Sequence, residues 1–206
     1  MKPLKQPQPG DLFYIPAWNR EGTYGFVIAR HIELIPPNIG YLIEVFAKFY
    51  TEPPKSIEEV DTEERLFRPV IWSMYFFKPY PRLKILFSDP NYDRAQSDYE
   101  SIGIAFDSGR VWIGGRSLKV SQDVFDSLEP STCWSIDNLI SRVIAHLAGI
   151  FAPDEQYDYH RLPESLRMDK PVAYERIEAL ALEMDRRFRS WQEEEKKRKP
   201  RGTKKP

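Results

Sequence analysis

The sequence predicts an α+β fold: a β-rich N-terminal barrel or rolled antiparallel sheet followed by C-terminal helices. Three observations predict it. Runs of aromatic and β-branched residues, punctuated by Gly and Pro, fill the first 120 positions. From about Ser121 the apolar spacing changes from period two to the three-and-four spacing of helices. A single cysteine, Cys133, excludes an intrachain disulfide framework, so the 41% apolar residues of this 206-residue chain must supply the core themselves.

Residues 1–9 alternate Pro with polar residues and read as a flexible lead-in. Pro9-Gly10 sets a turn, Leu12 to Ile15 form the first strand, and Pro16 is expected to end it because proline cannot donate to a ladder. A polar loop with Gly22 leads to a second strand over 24–35, in which Gly25 signals a bulge or a close backbone approach. After the turn at Pro36-Pro37-Asn38, residues 41–50 give the clearest strand. Ile43, Val45, Ala47 and Phe49 share one face and Glu44 and Lys48 the other. Leu42 and Phe46 interrupt that polar face, so part of it should be covered, with the C-terminal helices as the expected cover.

Ser56-Ile57-Glu58-Glu59 has the pattern of a capping box and predicts a short helix over 57–64. Residues 67–77 and 83–87 read as further strands, Pro69 pointing to an edge position or a late start. Residues 89–101 read as a polar loop. Residues 102–106 and 111–113 then form a hairpin around Asp107-Ser108-Gly109. The predicted buried set is Phe13, Ile15, Val27, Ile43, Val45, Ile71, Ile104 and Ile113. A β-rich unit of residues 10–120 thus precedes a helical region, 121–195. In the latter, 121–128 predict a short helix. Ser135 caps a second helix, over 136–147, whose apolar face is Ile136, Leu139, Ile140, Val143, Ile144 and Leu147. An irregular connection over 154–170 precedes a longer helix with the stripe Ala173, Ile177, Leu180, Met184, Phe188 and Trp191.

Residues 196–206 hold seven basic residues and no acidic one, and read as a disordered tail. The formal net charge of −1 therefore conceals an acidic body: residues 1–195 carry 23 basic against 31 acidic side chains, a net of −8. The N-terminus shows no signal-peptide pattern and no run is long enough to span a membrane, which gives the expectation of a cytoplasmic protein without a membrane partner.

Gly10-Asp11-Leu12-Phe13-Tyr14-Ile15-Pro16, the run Tyr24-Gly25-Phe26-Val27-Ile28 and the segment Arg65-Leu66-Phe67-Arg68-Pro69-Val70 together resemble the immunity protein 26 family, whose members accompany toxins in bacterial polymorphic toxin systems. The likeness covers roughly residues 9–120. It implies a mostly β domain, no catalytic residues, and a cognate protein toxin as partner. A fainter resemblance, to SH3-like barrels that bind nucleic acid, is disfavoured by the scattered cations of the β region.

The residues that could carry chemistry are few. His31, His146 and His160 fall on a strand, a helix and a loop with no metal-ligand spacing, and His146 is expected as a hydrogen-bonded core histidine. No sequence around Cys133 signals a lowered thiol pKa. Asp89, Asn91, Asp93 and Glu100 match positions of a calcium loop, but Arg94 stands where that loop needs glycine. Asp98 and Glu100 form a carboxylate pair with no pocket attached. No catalytic, metal or cofactor site is therefore predicted. Trp72, Tyr75, Phe76, Phe77 and Tyr80 make the densest aromatic cluster, of which Trp72, Tyr75, Phe77 and Tyr80 are the predicted partner-binding residues. The functional expectation is a non-enzymatic immunity protein whose acidic body suits a basic toxin. The alternatives are a nucleic-acid-binding barrel using the basic tail and an enzyme using Asp89, Asp93 or Glu100.

Overall fold

The computed structural model describes residues 7–35, 39–73, 84–107 and 109–198. The chain runs through ten strands, β1 (Asp11–Trp18), β2 (Tyr24–Ile35), β3 (Gly40–Tyr50), β4 (Arg65–Trp72), β5 (Ile85–Ser88), β6 (Gly103–Asp107), β7 (Arg110–Ile113), β8 (Arg116–Lys119), β9 (Glu129–Pro130) and β10 (Cys133–Trp134). Its helices are α1 (Gln122–Ser127), α2 (Ile136–Leu147) and α3 (Pro171–Arg198). The six-stranded sheet has the order β10-β4-β3-β2-β1-β5 and the four-stranded sheet β8-β7-β6-β9. The fold is α+β as expected. The large sheet is rolled without closing into a barrel.

The roll shows in one contact. Two strands separate β1 from β4, which would place them roughly 14 Å apart in a flat sheet. Yet Phe13 of β1 and Trp72 of β4 stack with ring centroids 5.2 Å apart. Opposed residues share a face, so Phe13, Ala29, Val45 and Phe67 line the concave side. There α2 packs against both β1 and β4. Of its predicted apolar face Leu139, Ile140, Val143 and Ile144 are buried and Ile136 and Leu147, at the two ends, half-buried. Ser141, Arg142, Ala145 and His146 are buried too, because Phe151, Leu162 and Leu166 close over the other side of the helix. On the convex side α3 covers β1 and β2. Tyr14 stacks on Phe188 at 4.1 Å, and the predicted stripe from Ala173 to Phe188 is buried. Trp191, half-buried, is the last residue of that stripe on the body.

Several expectations are corrected. Pro16 does not end β1 but lies inside it, opposite Phe26. It is tolerated because β5 pairs only with Asp11–Phe13, so that among the described residues no strand lies on the outer edge of β1 at Pro16. Pro69 sits in a bulge of β4, where Arg68 and Pro69 fall between the pairs Val45–Phe67 and Ile43–Val70. The described part of β4 ends at Trp72, and the rest of the predicted 67–77 strand lies outside the described residues. The capping box is not made: residues Ile57–Glu59 form one 3-10 turn, Ser56 gives no cap, and Glu59 accepts from the Lys55 backbone instead.

The polar face of β3 is covered by the small sheet and not by the helices. Leu42 joins Ile104 and Trp112 in a second core cluster, while Phe46 lies under Arg30. The segment read as a polar loop over 89–101 folds into two 3-10 turns, Arg94–Ser97 and Tyr99–Ser101, which bury Ser97 and Tyr99 against the large sheet. Of the predicted core only Ile113 is half-exposed. The β6–β7 hairpin forms as read, and β8 extends it through Gly114-Gly115, both at positive φ. After residue 120 the chain returns one short strand to each sheet, β9 beside β6 and β10 beside β4. α3 continues to Arg198, so the first three basic residues of the predicted tail are helical; residues 199–206 lie outside the described residues.

Candidate functional site

A cleft of about 370 Å³ opens where those two returning strands meet the start of α2. Glu129, Pro130, Thr132, Cys133 and Trp134 supply one wall, Ser135 and Asn138 the helix end, and Tyr157 and Tyr159 the facing wall. Its size falls within the range of ligand pockets. Sequence dictates the local geometry. Ser135 caps α2, its hydroxyl accepting from the Asn138 backbone and, at 2.9 Å, from the Asn138 amide. Trp134 is held by β4, since its carbonyl accepts from both the Ser73 N–H and the Ser73 hydroxyl.

Beneath the cleft lies an ion pair that sequence reading did not find. Arg142 of α2 is fully buried and donates from both terminal nitrogens to the two oxygens of Glu129, at 2.5 and 3.0 Å. Its guanidinium is flanked by the rings of Phe67, Trp134 and Tyr157 at 4.5, 4.9 and 5.3 Å. Trp134 and Tyr157 meet edge to face. A bidentate pair in this box fixes the orientation of both cleft walls, because neither charge can leave without stranding the other in a dry interior. The sequence carried one clue to it, an arginine directly beside Val143 of the apolar face of α2. Tyr157-Asp158-Tyr159, the opposite wall, lies in a stretch whose periodicity is silent.

The titratable side chains of the cleft are held protonated or hydrogen-bonded. Burial raises the pKa of the Cys133 thiol, partly offset by Ser73, and the sulfur donates weakly to the Ile39 carbonyl at 3.3 Å. A thiol kept protonated at neutral pH is a poor nucleophile. Burial also pushes the Tyr157 hydroxyl up to about 12. Tyr159 donates to the Asp169 carboxylate, which holds that carboxylate below its usual range.

The other sequence candidates are scattered. Trp72 is 5% exposed and stacked on Phe13, hence a core residue; Tyr75, Phe77 and Tyr80 lie outside the described residues. His146 is buried between Phe67 and Phe151, a core histidine as expected. Burial and the Arg142 charge drive its pKa down to about 4. His31 is buried under Tyr41 with its pKa lowered by burial, and His160 is exposed on a 3-10 turn. Asp93 caps a turn by accepting from the Ala95 backbone, Asp89 accepts from the Asn91 backbone, and Glu100 pairs with Arg116 on the surface. Asp98 takes a left-handed conformation at the junction of the two turns. Among the described residues no group of three or more His, Cys, Asp or Glu side chains is placed to hold a metal.

A second charged cluster joins the 89–101 segment to the sheet. Glu44, placed by the sequence on the polar face of its strand, is 2% exposed and accepts from Arg65 at 2.8 Å and Ser97 at 2.5 Å, with Arg30 at 3.2 Å. Glu33 holds Arg94 at 2.7 Å and the Tyr99 hydroxyl at 2.5 Å, and burial with that carboxylate raises the Tyr99 pKa to about 12. Each acidic group is matched by a cation and a hydroxyl, which makes this a clasp for the segment.

Comparison of the chain with protein-family models, curated proteins and solved structures finds no match. Among the described residues no helix is long and apolar enough to cross a membrane.

Proposed function

We propose that the chain is a non-enzymatic immunity protein that binds a cognate toxin in the bacterial cytoplasm and neutralises it by occlusion. The observation that carries this reading is the aromatic-walled cleft, whose walls are held by the Arg142–Glu129 pair in one arrangement before any partner arrives. Pre-set aromatic side chains are the anchors that dominate interface energies, since little side-chain freedom is lost on binding. The resemblance of residues 9–120 to the immunity protein 26 family and the net charge of −8 on residues 1–195 support the same reading, the charge by steering a basic toxin. No cofactor enters the proposal.

The test is co-expression with the product of the adjacent toxin-like gene. Survival that depends on this chain, together with a complex isolated from the survivors, is the expected result. Survival without a complex would replace occlusion by some other activity. RNA binding that is lost with residues 199–206, in place of toxin binding, would establish the nucleic-acid alternative.

A further inference from the structure

We propose that the partner segment entering the cleft is an extended peptide carrying a lysine or arginine, which adds as a strand to the free edge of β10; this rests on the reading of the cleft as the docking surface. Among the described residues β10 is the outermost strand of the large sheet on this side. Bonded residues alternate along a parallel ladder, and Trp134 is the bonded one, its carbonyl accepting from Ser73 at 2.9 Å. Cys133 therefore directs its own N–H and C=O away from β4, and Cys133 lines the cleft. The neighbouring edge, β9, is blunted by Pro130, which has no N–H to offer. One open edge and one blocked edge leave a single register for an incoming strand, with main-chain bonds at Cys133 and a side chain laid over the cleft-facing surface of Trp134 and the tyrosines.

The charge of that side chain follows from the walls. Tyrosine and tryptophan faces attract cations, as Trp134 and Tyr157 already do for Arg142 on their inner side. Arg142 is itself neutralised by Glu129, and of the carboxylates next to the tyrosine wall Asp169 is bonded to Tyr159 and paired with Lys170 at 3.8 Å, while Asp158 stands exposed beside Tyr159. An acidic segment meets repulsion from these carboxylates and from the body as a whole.

The test uses the full chain, isotope-labelled, titrated with the probe acetyl-Thr-Val-Arg-Val-Thr-amide and with versions carrying glutamine or glutamate in place of arginine. The expected result is saturable binding of the arginine peptide, with the Cys133 amide protected from hydrogen exchange, and roughly tenfold weaker binding of the glutamate peptide. Thr132→Arg, at an exposed position on the cleft wall, and Cys133→Pro, which removes the edge donor, should each abolish it. Equal binding of all three peptides overturns the charge assignment. Binding without protection of Cys133, or binding retained in both variants, overturns strand addition. Wild-type toxin capture that survives in Thr132→Arg also overturns this proposal while leaving the immunity reading intact, whereas failure of the wild type to capture toxin counts against that reading itself.

Discussion

Arg142 and His146, one turn apart on α2, are the residues whose buried chemistry is most exposed to measurement. Truncating Arg142 to alanine strands Glu129 in the interior and should cost about 3–5 kcal/mol in urea denaturation. Replacing the pair together, Arg142→Met with Glu129→Leu, should recover most of that loss. His146 sets a pH dependence. Its folded pKa of about 4 lies below its ordinary 6.5, so between these values the unfolded chain takes up a proton that the folded chain refuses. Stability should therefore fall as pH drops through that window, by roughly 3 kcal/mol from this group, and level off below it. His146→Leu should shrink the loss measured between pH 7 and pH 4. An unchanged pH profile would show that His146 takes up its proton in the folded chain as readily as in the unfolded one. The burial of His146 was legible from its place beside the apolar face of α2, but that of Arg142 was not, because burial of a charged group on a helix depends on what covers its far side. Here that cover is a stretch, 151–166, without periodicity.

At the scale of elements the sequence spoke more clearly. Period-two runs located β1 to β3 and the β6–β7 hairpin, and the α3 stripe is buried as read, since alternation and helical spacing are set by one covered face. Gly25 marks a close approach: a Cβ there would lie 2.2 Å from the Tyr50 carbonyl oxygen. Gly25→Ala should accordingly cost roughly 1–3 kcal/mol, read as a lower urea midpoint with an unchanged slope. Val45, fully buried opposite Phe67, sets a harsher test of β3. Val45→Asp should unfold the chain, and a thermal melt unaffected by it would refute the strand assignment. The strands that sequence could not show are β8, β9 and β10. β8 is exposed along its length, so no hydrophobic pattern betrays it, and two-residue strands have no period at all. The cleft depends on β9 and β10, which is why the fold was more legible than the site.

The whole molecule presents an acidic body with a pre-shaped cleft, and long-range charge and local shape should separate in experiment. Removing residues 199–206, which offer no aliphatic or aromatic side chain to bury, should leave the melting temperature unchanged. A loss of several degrees would mean that this segment docks on the body. Higher salt should slow association with a basic toxin while leaving dissociation nearly constant, because steering acts on encounter. The most direct test of the central claim is calorimetric titration of the purified chain with the product of the adjacent toxin-like gene, for the wild type and for Thr132→Arg. The account predicts a stoichiometric complex for the wild type and at least roughly tenfold weaker binding for the variant, with the same fold by circular dichroism. Equal affinity for both proteins, or no heat of binding for either, would contradict it.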